Sequence, residues 1–144
     1  MLMREDWTKA TGAPPVVKEL SWFTDGSKTG EGAGAGVYRQ LVGRRLSFSL
    51  GRYATVFQEE TYAILACACE IQSQNRPEKY VSICSNSQAA LKALKAVRTT
   101  SPLVLQCQRA LNDISIRHGV GLFWVPRHAG IRGNEIADGL AALL

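Results

Sequence analysis

No stretch of this 144-residue chain approaches the ~20 consecutive apolar residues that a membrane-spanning helix needs. Its first residues, Met1-Leu2-Met3-Arg4-Glu5-Asp6, lack the apolar core of a secretory signal. The four cysteines, Cys67, Cys69, Cys84 and Cys107, form no C-x-x-C pair and sit in apolar segments. They read as small buried residues of an intracellular, reducing compartment, nucleus or cytoplasm, which excludes a zinc site and a disulfide framework. Any metal must then be held by oxygen ligands. Internal repeats and low-complexity segments are also missing. What is present, 46% hydrophobic and 20% charged residues, is the composition of a chain that folds, at a length suited to one domain with a sizeable core.

The charge balance is basic, with 17 Lys+Arg against 12 Asp+Glu and a formal net charge of +5. A polyanionic partner fits that balance, and so does a soluble domain that never meets one.

Residues 1–17, with Gly12-Ala13-Pro14-Pro15 near their end, read as an N-terminal tail or linker, and residues 18–144 as the domain. Leu20, Trp22 and Thr24 alternate with Ser21, Phe23 and Asp25 in the period-2 pattern of a strand, which Gly26 is expected to stop. Gly30 to Gly36 places glycine at alternate positions and leads into strands at Val37–Gln40 and Arg45–Leu50. A helix is predicted from about Thr55 to Gln72, because Phe57, Glu60, Ile64, Cys67 and Ile71 share one stripe. A strand over Lys79–Cys84 follows. Ser85 and Gln88, at capping-box spacing, open a helix to about Val97. Ser101-Pro102 starts another helix to about His118, Gly121–Val125 forms a fifth strand, and a helix from Asn134 to Leu144 closes the chain. The order βββαβααβα predicts an α/β fold with a five-stranded mixed sheet, three antiparallel then two parallel strands, flanked by helices.

Four oxygen-bearing side chains stand out. Glu60 lies on the apolar stripe of its helix, where an ionised carboxylate costs several kcal/mol unless a cation compensates it. The plain alternative is a partly exposed residue at the stripe's edge. Asp25 ends the first strand on the Phe23 side, where Asp before Gly is also a common turn residue. Asn86 follows the fourth strand, where Asn is also a good cap, and Asp138 sits early in the last helix, where a negative charge suits the helix dipole. In open α/β sheets sites form beyond the strand ends, near a reversal in strand order. That rule brings Asp25 and Asn86 side by side, with Glu60 and Asp138 flanking them. Crowded oxygen ligands of this kind suit hard cations such as Mg²⁺.

The motifs around these residues resemble those of type 1 ribonucleases H. Trp22-Phe23-Thr24-Asp25-Gly26-Ser27 is similar to the family's opening motif and Glu60-Thr61-Tyr62-Ala63 to its helix Glu motif. Ser85-Asn86-Ser87-Gln88 is similar to S-D-S-Q, and Asn134-Glu135-Ile136-Ala137-Asp138 to N-E-x-x-D. Trp124 to Glu135 resembles the domains attached to reverse transcriptases of non-LTR (LINE-type) retrotransposons. The resemblance spans about residues 18–144 and implies a ribonuclease H-like fold. It implies endonucleolytic hydrolysis of the RNA strand of RNA/DNA hybrids, using two Mg²⁺ ions for which Mn²⁺ can substitute. Asp25, Glu60, Asn86 and Asp138 are the implied catalytic metal positions, with Glu59 competing with Glu60 for the helix ligand. His128, ten residues before Asp138, matches a mobile histidine that aids proton transfer and product release. Thr55 matches a DNA-phosphate contact, and Ser27, Gln88, Arg127 and Asn134 are the other expected nucleic-acid contacts. The partners implied are a hybrid duplex and a fused or cooperating reverse transcriptase domain, with no membrane and a monomeric domain.

The chain departs from this family pattern at three places. Asn86 stands where the family has Asp, and an amide supplies one carbonyl oxygen without negative charge. Cleavage is therefore expected to be impaired. Arg127 stands where Gly usually precedes the histidine, and no basic, Trp-containing helix lies between Val97 and Ser101. The alternative reading is a non-catalytic hybrid-binding domain on the same fold. An integrase-like strand-transfer enzyme would end its acidic set in Glu, whereas this chain has Asp138.

Overall fold

The computed structural model describes residues 21–28, 33–39, 44–51, 53–74, 80–125, 136–137 and 140. The tail 1–17 lies outside these residues, as does most of the helix expected over 134–144. Eight elements follow in order: β1 (Ser21–Lys28), β2 (Ala33–Arg39), β3 (Arg44–Gly51), α1 (Val56–Gln74), β4 (Tyr80–Ser85), α2 (Gln88–Lys95), α3 (Pro102–Ser115) and β5 (Gly119–Trp124).

The strands form one sheet in the order β3-β2-β1-β4-β5. β1 pairs antiparallel with β2, and β2 with β3. On the other side β1 pairs parallel with β4, and β4 with β5, through helical crossovers. The expected five-stranded mixed sheet is therefore the observed one. β1 is the strand at which the connections change direction, so its C-terminal end is the place where such sheets carry a site.

Alternation along each strand divides the core between the two faces. Trp22, Val37, Ile83 and Leu122 meet Ile64, Cys67 and Ile71 of α1 and Val104, Leu111 and Ile114 of α3. Ile64 and Leu111 are wholly enclosed, each side chain stabilising the fold by about 1.5–3 kcal/mol through burial. On the opposite face Phe23, Tyr38, Cys84, Phe123 and Val125 pack with Ala137, and Ile136 and Leu140 flank them. Ser47 of β3 also donates to the Leu140 carbonyl at 2.5 Å, tying this C-terminal segment to the sheet.

Several boundaries differ from expectation. Gly26 does not stop β1: the ladder continues with Ser27 opposite Gly34 and Lys28 opposite Ala33. The glycine-rich run supplies an extended partner there, so pairing overrides the local turn preference of Asp-Gly. Ser85 is not the cap of α2. Its hydroxyl accepts from the Ser87 amide at 3.1 Å, and the Ser87 hydroxyl accepts from the Ala90 amide at 3.0 Å. Ser87 is therefore the N-cap, and α2 ends at Lys95 rather than Val97. Ser101 caps α3 and Pro102 opens it, as expected, but the helix ends at Ser115 and β5 begins at Gly119. Cys67, Cys84 and Cys107 are buried and Cys69 is exposed, against the expectation that all four are enclosed.

Candidate active site at the ends of the parallel strands

β1 and β4 pair from Ser21 opposite Ser82 to Thr24 opposite Ser85. Asp25 and Asn86 are the next residue on each strand, so the two stand side by side where the parallel ladder closes. The Thr24 hydroxyl donates to the Cys84 carbonyl at 3.2 Å, bracing the two strands one step before the site. Asp25 is wholly buried on the face that holds Phe23, and its Oδ1 accepts the Gly26 amide at 2.8 Å. The expected orientation of Asp25 is therefore observed, although the residue lies within the β1–β2 ladder rather than at the end of β1.

Gly26 explains how α1 reaches this point. A Cβ on residue 26 would stand 2.7 Å from Glu59 Cβ and 2.8 Å from both Glu60 Cγ and the Glu60 amide nitrogen. Only a residue without a side chain lets the first turn of α1 approach so closely. The helix is started by a reciprocal capping box: the Gln58 amide donates to Thr55 Oγ1 at 3.1 Å, and the Thr55 amide donates to Gln58 Oε1 at 2.8 Å. Thr55 itself is exposed. The T-x-x-Q spacing of Thr55 and Gln58 marks this cap in the sequence, as the Ser85–Gln88 spacing does not for α2.

Glu60 is 7% exposed and lies on the buried side of α1 with Ile64, Cys67 and Ile71. Glu59, the competing carboxylate, is more deeply enclosed, at 0%. Periodicity places Glu60 on the stripe but does not reveal that the flank beside it is also covered, because that follows from how closely Gly26 lets the helix sit.

Asn86 is held from behind. Its backbone carbonyl accepts the Trp124 indole N–H at 3.3 Å, and the Val125 amide donates to the Ser85 carbonyl at 2.9 Å. Its side-chain oxygen and nitrogen are both buried and have no hydrogen-bond partner among the described residues.

Among the described residues, no three His, Cys, Asp or Glu side chains are grouped so as to hold a metal ion. Of the four positions implied by the resemblance, one is an amide and Asp138 lies outside the described residues. Ile136, Ala137 and Leu140 on either side of it pack on the face that carries Phe23. Ser27 pairs with Gly34 in the β1–β2 ladder, Gln88 is exposed at the start of α2, and Arg127, His128 and Asn134 lie outside the described residues. Also among the described residues, no helix is long and apolar enough to cross a membrane.

The thiols take no part in this arrangement. Burial pushes the Cys84 thiol up to about 12, and burial, with neighbouring thiols adding to it, raises Cys67 and Cys107 as well. Such thiols stay protonated and inert near neutral pH.

The ladder that closes at Thr24 and Ser85 thus sets Asp25 beside Asn86, and Gly26 sets Glu59 and Glu60 against the same strand. Residues 17–143 match the family model for RNase H. That match covers most of the chain and accords with the sheet order and the crossovers, so this chain belongs to the RNase H family, whose general activity is cleavage of RNA/DNA hybrids.

Proposed function

We propose that the chain binds RNA/DNA hybrid and carries the machinery for hydrolysing the RNA strand with two divalent metal ions, with cleavage impaired by Asn86. The observation that supports this best is the Asn86 side chain, buried and unpartnered among the described residues at the place where β1 and β4 part beside Asp25. An oxygen so placed fits a hard cation, and so do the buried carboxylates of Asp25 and Glu60. Asp25, Glu60, Asn86 and Asp138 are the residues that would hold Mg²⁺ or Mn²⁺. Such ions, when bound, supply positive charge to the phosphate being displaced in line.

Each described residue has its own part. The Gly26 amide fixes one oxygen of Asp25 and leaves the side chain little freedom to turn. Gly26 also admits the α1 backbone that carries Glu60. The indole of Trp124 engages the backbone carbonyl of Asn86, so that only its side chain is offered to a ligand. That side chain presents one neutral oxygen where a carboxylate would present two charged ones, and the weakened hold on cations follows. His128 is assigned the movement of a proton during product release. Thr55, Ser27, Gln88, Arg127 and Asn134 are assigned contacts to the duplex backbone, which position the substrate without reading its sequence. Recognition of RNA would rest on its 2′-hydroxyls.

The resemblance of residues 124–135 to retrotransposon domains supports a reverse transcriptase as the neighbouring or fused partner. A second reading, a hybrid-binding domain without catalysis, is favoured by Asn86 itself. The two are separated by incubating a hybrid labelled on its RNA strand with the chain in Mg²⁺ and in Mn²⁺, beside Asp25→Asn. Slow RNA cleavage that disappears in the variant supports the enzyme. Binding without cleavage, with none recovered by Asn86→Asp, supports the second reading, and failure to bind hybrid contradicts both.

A further inference from the structure

Five of the chain's basic residues fall in one stretch without acidic residues. Lys79, Lys92, Lys95, Arg98 and Arg109 fall between Glu78 and Asp113 with no acidic residue among them. Elsewhere, twelve basic residues are matched by twelve acidic ones, so the net charge of +5 is the charge of this segment. The segment is β4, α2, α3 and the turn between the two helices, and it leads directly away from Asn86.

Within it, α2 separates its faces cleanly. Ala90, Leu91 and Leu94 are buried, Lys92 is exposed and Lys95 half-buried, and Arg98 is exposed just beyond the helix end. Lys92 and Lys95 thus stand three residues apart on α2, and Arg98 follows three residues later, beyond the helix's extended cap. A rise of ~1.5 Å per residue places Lys92 and Lys95 about 4.5 Å apart along the axis. Lys and Arg side chains are long, so cations at this spacing can each reach a phosphate of one strand.

This stretch is also held rigidly. Ser87 caps the start of α2. At its other end the buried Gln108 of α3 donates to the carbonyls of Leu94 and Ala96, at 3.0 and 3.1 Å. The Thr99 hydroxyl accepts the Ser101 amide at 3.1 Å and orders the turn that follows Arg98. Lys92 and Lys95 do suit the C-terminal end of the helix dipole, but that role needs neither Arg98 nor the absence of acidic residues.

We infer that Lys92, Lys95 and Arg98 form a backbone-gripping ridge that holds the phosphates of the bound duplex beyond the reacting phosphate. This deepens the hybrid reading above and rests on it. The ridge reads no sequence and does no chemistry. It would supply grip close to where the chain lacks the basic, Trp-containing helix noted above.

The test measures binding of the full chain to an RNA/DNA hybrid and to a DNA duplex of equal length across a salt series. The wild type is compared with Lys92→Gln/Lys95→Gln/Arg98→Gln, with Lys92→Gln/Arg98→Gln, and with Arg117→Gln at the far end of α3 as a control. Lys92 and Arg98 are exposed, so the double variant leaves the core untouched if the triple variant folds poorly. The ridge predicts a slope of log K against log salt shallower by about two to three in the triple variant and by about two in the double. It also predicts affinity weaker by roughly tenfold at low salt, with Arg117→Gln nearer to wild type. Wild-type slopes in both ridge variants, with hybrid still bound, would overturn the ridge and leave the hybrid reading standing. Ridge-dependent binding of the DNA duplex with no binding of hybrid would keep the ridge and overturn the hybrid reading.

Discussion

Gly26 and Glu59 touch so closely that a methyl group on Gly26 would lie 2.7 Å from the Glu59 Cβ. The residue after Asp25 is therefore the seat of the first turn of α1, and the spacing between strand and helix at the site depends on its missing side chain.

Gly26→Ala is expected to push the start of α1 off the sheet. Overpacking of this kind costs about 1–3 kcal/mol. The midpoint of urea unfolding should fall with little change in slope, and an unchanged midpoint would show that the contact relaxes without cost.

Gln108 is the pin between α2 and α3, and Gln108→Leu keeps its bulk while removing both donors. The Leu94 and Ala96 carbonyls would lose their partner, at a cost of about 1–3 kcal/mol. Thermal unfolding compared with wild type measures this, and equal stability would mean that water replaces the amide.

The thiols give a pH prediction. Cys84 rises from 9.0 to about 12 on folding, and Cys67 and Cys107 are raised as well, all first by burial. A thiol with a raised folded value binds its proton more tightly in the folded state. The stability it contributes is complete below about pH 9 and is lost as pH climbs towards the folded value, by up to about 1.4 kcal/mol per pH unit for each thiol. Urea titrations from pH 8 to 11 should show stability constant at first and then falling. At neutral pH a thiol reagent should label Cys69 quickly in the native protein and the other three only after denaturation. Rapid native labelling of all four would contradict the buried placement.

Thr55→Ala should cost about 1 kcal/mol by removing the cap of α1. Thr55→Ser, which keeps the hydroxyl, should be close to neutral. Equal stability of all three forms in thermal unfolding would count against the capping box.

Much of this arrangement is legible in the chain itself. Alternation places Asp25 on the Phe23 face, and the apolar stripe of α1 carries Glu60 into the interior. Ser101-Pro102 announces its helix because both residues act locally. What escaped depends on partners distant in sequence. Gly26 remains in its strand because β2 pairs with it, and Glu59 is covered because Gly26 has no side chain. Ser87, not Ser85, caps α2 because β4 extends one residue further. Cys69 sits in an apolar run yet faces outward, since periodicity cannot tell which flank of α1 meets α3.

The central claim is that the site is otherwise intact and that the missing charge at Asn86 limits it. Cleavage of a hybrid labelled on its RNA strand, measured in Mg²⁺ for the wild type and for Asn86→Asp at matched hybrid occupancy, tests this most directly. Weak or undetectable cutting by the wild type and clear cutting by the variant are expected. Equal cutting by both, or none by either while hybrid stays bound, would contradict it.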